Sequence, residues 1–298
     1  MRFILCQPAI TRFQWELDVC LTNLISLDYT DIVLLFGRED PEVPAYFMRK
    51  YETVEVHVYD VNWGEFQEYA PAIKPYLWTQ YLSENPLAQL DDYFYMDSDV
   101  ILRDRLDECV DNATRSRWFA SDCGGYLNYD YIMQCKAGEE ILENLSRITL
   151  ISTTDIKSLN LTSGGAQWSI SQPTLAYWRK VYIDTKTIWK YLQTVDSNIQ
   201  KWTAEMWAQL YATKYYGIEV VTPKELDFCW ATDPIERWFN TTIYHNAGAT
   251  LEDKGLFFKG QYVGGRTPFD EDLSFVDPQR CSSKYVEAIK GVKMITNG

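Results

Sequence analysis

No C-x-x-C pair occurs in this sequence, and its seven cysteines (Cys6, Cys20, Cys109, Cys123, Cys135, Cys229 and Cys281) are scattered and odd in number. That distribution suggests neither a structural zinc site nor a disulfide framework, and it reads as buried, reduced thiols. No apolar run approaches the roughly 20 residues that span a bilayer. The opening stretch, Met1-Arg2-Phe3-Ile4-Leu5-Cys6-Gln7-Pro8, is apolar too briefly for the core of a signal peptide and reads as a first strand. A cytoplasmic location without stable membrane insertion is therefore expected. Basic charge is scarce: 28 Lys and Arg face 42 Asp and Glu, for a formal net charge of −14. Extended nucleic-acid binding and attachment to an anionic membrane both need charge of the opposite sign. Histidine is scarcer still, with only His57 and His245.

What is present is an ordinary globular composition, 46% hydrophobic and 23% charged, over 298 residues that can bury a sizeable core. Strands are expected at Arg2–Gln7, at Asp31–Gly37 with its continuous run Ile32 to Phe36, at Thr53–Tyr59 with alternating valines, and at Tyr93–Asp97. Helices are expected between them at Trp15–Leu27, Pro41–Tyr51 and Pro71–Ser83. Strands joined by helical crossovers imply a largely parallel sheet with helices on both faces. Such sheets bind ligands beyond the carboxyl ends of their strands. The second half reads as strands at Trp118–Ser121 and Leu127–Cys135 around a Gly124-Gly125 turn, then a helix at Gly138–Ile151. A chain break at Gly164-Gly165, a long helix after Pro173, a helix at Thr203–Tyr216, short strands beyond Gly217 and a last helix near Lys284–Ile289 follow. There is no internal repeat and no evident linker.

The most informative segment is Tyr93-Phe94-Tyr95-Met96-Asp97-Ser98-Asp99-Val100-Ile101-Leu102. Carboxylates are costly to bury unless they are paired or hold a cation. Two of them at the end of a core strand therefore suggest a site for a hard divalent ion such as Mg²⁺ or Mn²⁺, completed by phosphate oxygens. The plainer alternative is a turn in which Asp97 and Asp99 cap backbone amides.

The stretch from Ile73 to Leu106 resembles the GT-A glycosyltransferases, in particular the retaining group related to glycogenin and bacterial galactosyltransferases. The resemblance implies an α/β, Rossmann-like, largely parallel central sheet flanked by helices, with a C-terminal extension. It implies one domain over 1–298, with a nucleotide-sugar half at 1–110 and an acceptor half at 111–298. It further implies Mn²⁺ or Mg²⁺ held by Asp97 and Asp99, with a nucleoside diphosphate sugar, UDP-sugar favoured, as donor. His245-Asn246-Ala247-Gly248 is similar to a C-terminal His-x-x-Gly whose histidine is the third metal ligand, whereas His57 lies in an alternating strand and reads as exposed or structural. The lysine that follows in the family is displaced here, and Lys259 is preferred over Lys254 for the diphosphate. Ser163-Gly164-Gly165-Ala166-Gln167 is similar to the segment under the donor sugar, which makes Gly164, Gly165 and Gln167 candidates. The loop after the first strand (Pro8, Ala9, Arg12) and Lys74 are further donor-side candidates. Thr203 reads as a helix N-cap. Glu205, in the first turn behind it, is the candidate acceptor-facing carboxylate, catalytic together with Asp97 and Asp99. Retention of configuration is slightly favoured.

The acceptor is expected to be a glycan, a protein, a small molecule or a modified nucleobase of the phage type, the last opposed by the acidic charge. Tryptophans 168, 178, 202, 207, 230 and 238 lie in the half where it would bind, and one or two are expected to touch it. A haloacid dehalogenase phosphatase would place its Asp-x-Asp near the domain start, and a nucleotidyltransferase would carry glycine in the loop after the first strand. Neither pattern is present. A non-catalytic carbohydrate-binding protein would explain the aromatic residues but not the acidic pair.

Overall fold

The computed structural model describes residues 2–106 and 112–296. Cys109 lies outside them; the other six cysteines are free and buried. The first half runs β1 (Arg2–Pro8), α1 (Thr11–Ser26), β2 (Ile32–Gly37), α2 (Glu42–Lys50), β3 (Val54–Tyr59), α3 (Ile73–Glu84), β4 (Asp92–Tyr95) and β5 (Val100–Leu102). The second half runs β6 (Arg117–Asp122), α4 (Tyr129–Gln134), α5 (Gly138–Thr149), α6 (Thr153–Ser158), β7 (Gly164–Ser171), α7 (Leu175–Thr194), α8 (Ala204–Tyr215), β8 (Glu219–Val221), β9 (Phe228–Trp230), α9 (Ile235–Asn240), β10 (Ile243–His245) and α10 (Ser282–Thr296). Among the described residues no helix is long and apolar enough to cross a membrane.

Seven strands form the central sheet in the order β3-β2-β1-β4-β7-β6-β8. The first four run parallel, β7 is antiparallel to both its neighbours, and β8 is parallel to β6. Every residue of β2 is buried, as its unbroken apolar run requires of a strand covered on both faces. On one face α3 meets α7 through the stacked rings of Trp78 and Trp178, 4.6 Å apart and tilted by 6°. A second, three-stranded sheet has the order β5-β10-β9. It anchors a separate apolar cluster in which Trp15 of α1 meets the rings of Phe257, Tyr262 and Tyr285.

The structure differs from the sequence expectation at three places that bear on the site. Leu127–Cys135 is not a strand: Asn128 accepts a hydrogen bond from the Tyr131 amide at 2.7 Å, and this cap starts α4. The Gly164-Gly165 pair does not break the chain but opens β7, threaded between β4 and β6. A Cβ on Gly164 would lie 2.7 Å from the Ala120 Cβ and 2.8 Å from Val220 Cγ1, so the pair serves close strand packing. The link after β1 is only Ala9 and Ile10, because α1 begins at Thr11 and takes Arg12 into its first turn.

Gly164→Ala is expected to overpack this junction and cost about 1–3 kcal/mol. The check is a lower urea midpoint at an unchanged denaturant slope.

Candidate active site

Asp97 lies just past the carboxyl end of β4, where the chain leaves the central sheet and turns into β5. The antiparallel register of β5 with β10 then sets Val100 opposite His245. The Asn246 amide donates to the Asp99 carbonyl at 2.9 Å and locks the two segments together. One ligand atom each from Asp97, Asp99 and His245 consequently lie within 4.8 Å of one another. His245 Nε2 is 3.4 Å from Asp99 Oδ1 and 3.9 Å from Asp97 Oδ2.

Two lysines converge on the same carboxylates. Lys74 on α3 bridges Asp97 at 3.0 Å and Glu205, at the start of α8, at 3.3 Å. Lys259 is paired with Asp99. Burial alone would raise the Asp99 carboxyl, but the Lys259 ammonium and His245 imidazole overcome it and hold the group well below the usual carboxylate range. Burial pushes Glu205 up, opposed by Lys74. Burial works against the charge on Lys74 too, and the carboxylates of Asp97 and Glu205 more than offset it.

Behind Asp97, Asp99 and His245 lies a supporting layer. Gln167 of β7 is fully buried, accepts from the Ser121 hydroxyl at 2.7 Å and meets His245 Nδ1 at 3.2 Å. Turned over, its amide presents a carbonyl to Nδ1, and the Ser121 hydroxyl can answer either face. Nε2 can thus carry a proton toward Asp99 or offer its lone pair to a cation. The Ser98 hydroxyl donates at 2.8 Å to Glu16, a buried α1 carboxylate that also pairs with Arg12 at 3.2 Å. Two carboxylates and an imidazole with a held second nitrogen form a fitting set for a divalent cation of the Mn²⁺ kind.

Asp97 and Glu205 line a pocket of about 560 Å³ that also includes Tyr95, Trp168, Trp202, Trp230, Gln209 and Lys259, whereas Asp99, 2% exposed, is not part of its wall. Of the tryptophans named from sequence, Trp168, Trp202 and Trp230 line it, Trp178 and Trp207 are interior, and Trp238 packs on Tyr244. Pro8, Ala9 and Arg12 are not part of its wall. The Ala9 amide donates to Gly37, its carbonyl accepts from Asp40, and the Pro8 carbonyl accepts from Ile10, so this backbone is committed to the fold. Gly164 and Gly165 pack against Ala120, Val220 and Leu127 behind the wall, and Ala166 is the residue of that segment that faces the pocket. Thr203 does not cap α8 through its side chain; its hydroxyl donates to the Gln200 carbonyl at 2.7 Å. His57 pairs with Glu55 on β3, away from the pocket. Sequence reasoning missed Gln209, although its four-residue spacing from Glu205 on one helix was a usable signal. It also missed Glu16, one of two carboxylates, with Asp18, among the buried positions of α1.

No protein-family model matches the sequence, and no curated protein sequence does. Solved structures match across its length. The apo structure of the bifunctional glycosyltransferase WbbM superimposes with a TM-score of 0.53 at 10% identity, covering 100% of this chain and 51% of that one. This chain thus spans about half the length of WbbM. The galactosyltransferase LgtC, in complex with donor and acceptor sugar analogues, gives a TM-score of 0.52 at 14% identity, covering 98% of this chain and 96% of that one. An active-site mutant of LgtC gives 0.51 at 13% identity over the same shares. The fold is that of the GT-A glycosyltransferases.

Gln167→Leu leaves His245 Nδ1 without its partner, and Mn²⁺ affinity is expected to fall by about 10–100-fold, measured by calorimetry on the folded variant.

Proposed function

We propose that this chain is a metal-dependent glycosyltransferase that moves a sugar from a nucleoside diphosphate sugar, UDP-sugar favoured, to an acceptor hydroxyl. The observation that carries the reading is the convergence of Asp97, Asp99 and His245 at the rim of a GT-A sheet, beside a pocket lined by Asp97, His245, Lys74, Glu205 and Lys259. The three ligand residues would hold Mn²⁺ or Mg²⁺, the imidazole favouring Mn²⁺. When bound, the cation neutralises charge that builds on the departing diphosphate.

The chain's own residues do the rest. Lys259, half-buried and paired with Asp99, supplies a positive charge to the phosphates from the C-terminal side of the pocket. Lys74 holds Asp97 and Glu205 in fixed relation, so that donor and acceptor sides keep their spacing. In the transfer the anomeric carbon–phosphate oxygen bond breaks with its electron pair going to the nucleoside diphosphate, a bond to the acceptor oxygen forms, and the acceptor proton passes to the departing diphosphate oxygen. Glu205, buried and oriented by Lys74, is the group that orients that hydroxyl; with Glu205 in a positioning role, retention is the favoured outcome. Trp202, 60% exposed at the pocket mouth, offers a ring for the acceptor to stack on.

The test is a thermal-shift panel of UDP- and GDP-sugars with and without Mn²⁺, followed by turnover of the donor that stabilises most. Asp99→Asn is expected to abolish the metal-dependent shift and lower kcat/KM by about 100-fold or more. Full metal-dependent donor hydrolysis by Asp99→Asn overturns the proposal. Binding of free sugar without any nucleotide would favour a carbohydrate-binding protein instead.

A further inference from the structure

Among the described residues, several buried side-chain nitrogen and oxygen atoms have no protein hydrogen-bond partner, and two of them belong to the wall of the central pocket: the Tyr95 hydroxyl and Gln209 Nε2. Both residues are nearly inaccessible, at 3% and 2%. A buried polar group left unpaired is destabilising, because it has given up its water partners and gained none in return. Such a cost at a pocket wall is offset when a ligand supplies the missing partner.

Their positions say what kind of partner. Gln209 follows Glu205 by four residues on α8, so the amide and the carboxylate share one helix face. Tyr95 sits directly across from Trp168 in the β4–β7 register, and both side chains therefore project from the same face of the sheet. The Tyr95 hydroxyl points toward the Glu205 carboxylate and stabilises its charge, but its geometry falls short of a full hydrogen bond there. The inner end of the pocket thus combines an aromatic plane (Trp168), a thioether (Met206), a carboxylate and two unpaired polar groups. An apolar ring beside hydroxyl-sized polar contacts is the complement of a pyranose. The charged cluster of Asp97, Asp99 and Lys259 fixes the diphosphate end, and the exposed Trp202 marks the mouth.

We infer that Tyr95 and Gln209 read the hydroxyls of the transferred sugar, and so set which hexose the enzyme accepts. This rests on the glycosyltransferase reading above. A site built to hydrogen-bond a hydroxyl rejects the analogue lacking it far more strongly than an apolar pocket rejects an extra one.

The experiment uses the full chain with Mn²⁺, UDP-glucose and UDP-galactose, and the 3-, 4- and 6-deoxy forms of whichever is turned over faster. Gln209→Leu and Tyr95→Phe are each compared with the parent protein for kcat/KM on every donor and for UDP affinity by calorimetry. The expected result is unchanged UDP affinity, a loss of about tenfold or more on the parent sugar, and collapse of discrimination against one deoxy donor. Full discrimination retained in both variants overturns the inference, and so does a uniform loss on all donors. Should Gln209→Leu fail to fold, Tyr95→Phe and the isosteric Gln209→Glu carry the test. If the parent protein binds neither UDP nor any of these donors with Mn²⁺, the functional reading itself has failed, an outcome distinct from altered selectivity.

Discussion

Asp99 sits at the corner where two sheets meet and is 2% exposed. A carboxylate cannot remain ionised there without positive charge and hydrogen bonds around it. Most of the surrounding architecture answers that demand. Lys259 is delivered by a loop that the second apolar cluster pins to α1. His245 is delivered by the register of β10 on β5. Behind them, Glu16 takes the Ser98 hydroxyl and Gln167 takes the far side of the imidazole. Each of these elements brings a polar group to the corner, and apolar packing holds it in place.

The parallel half of the sheet was legible because its signals are local. Unbroken apolar strands, helix-spaced residues between them and an acidic pair at a strand end are each visible within a few residues. Asp97, Asp99, His245, Lys74, Glu205 and Lys259 were all named from sequence; all but Asp99 line one pocket, and Asp99 is paired with Lys259 of that wall. Pro8, Ala9 and Arg12 were named as well, but they lie outside that wall. Sequence cannot report that Ala9 spends both its backbone groups on Gly37 and Asp40, or that Arg12 turns toward Glu16.

What escaped was decided by tertiary contacts. Leu127–Cys135 alternates well enough to read as a strand, and one asparagine cap outweighed that pattern. The Gly164-Gly165 pair read as a break in the chain because glycine permits turns. Its reason is the crowd of Ala120, Val220 and Leu127 that leaves no room for a side chain. The role of Gln167 was similarly hidden, since the β6–β7 pairing brings Ser121 near it and the separate β5–β10 pairing brings His245 against it.

The joint between β5 and β10 links residues 100–102 to residues 243–245. Nearly half the chain must therefore be synthesised and threaded between the acidic pair and its histidine. A growing polypeptide released as far as β7 holds both aspartates but neither His245 nor Lys259. Loop closure over such a span is slow compared with local helix formation. The corner that joins Asp97 and Asp99 to His245 is thus among the last parts of the molecule to mature.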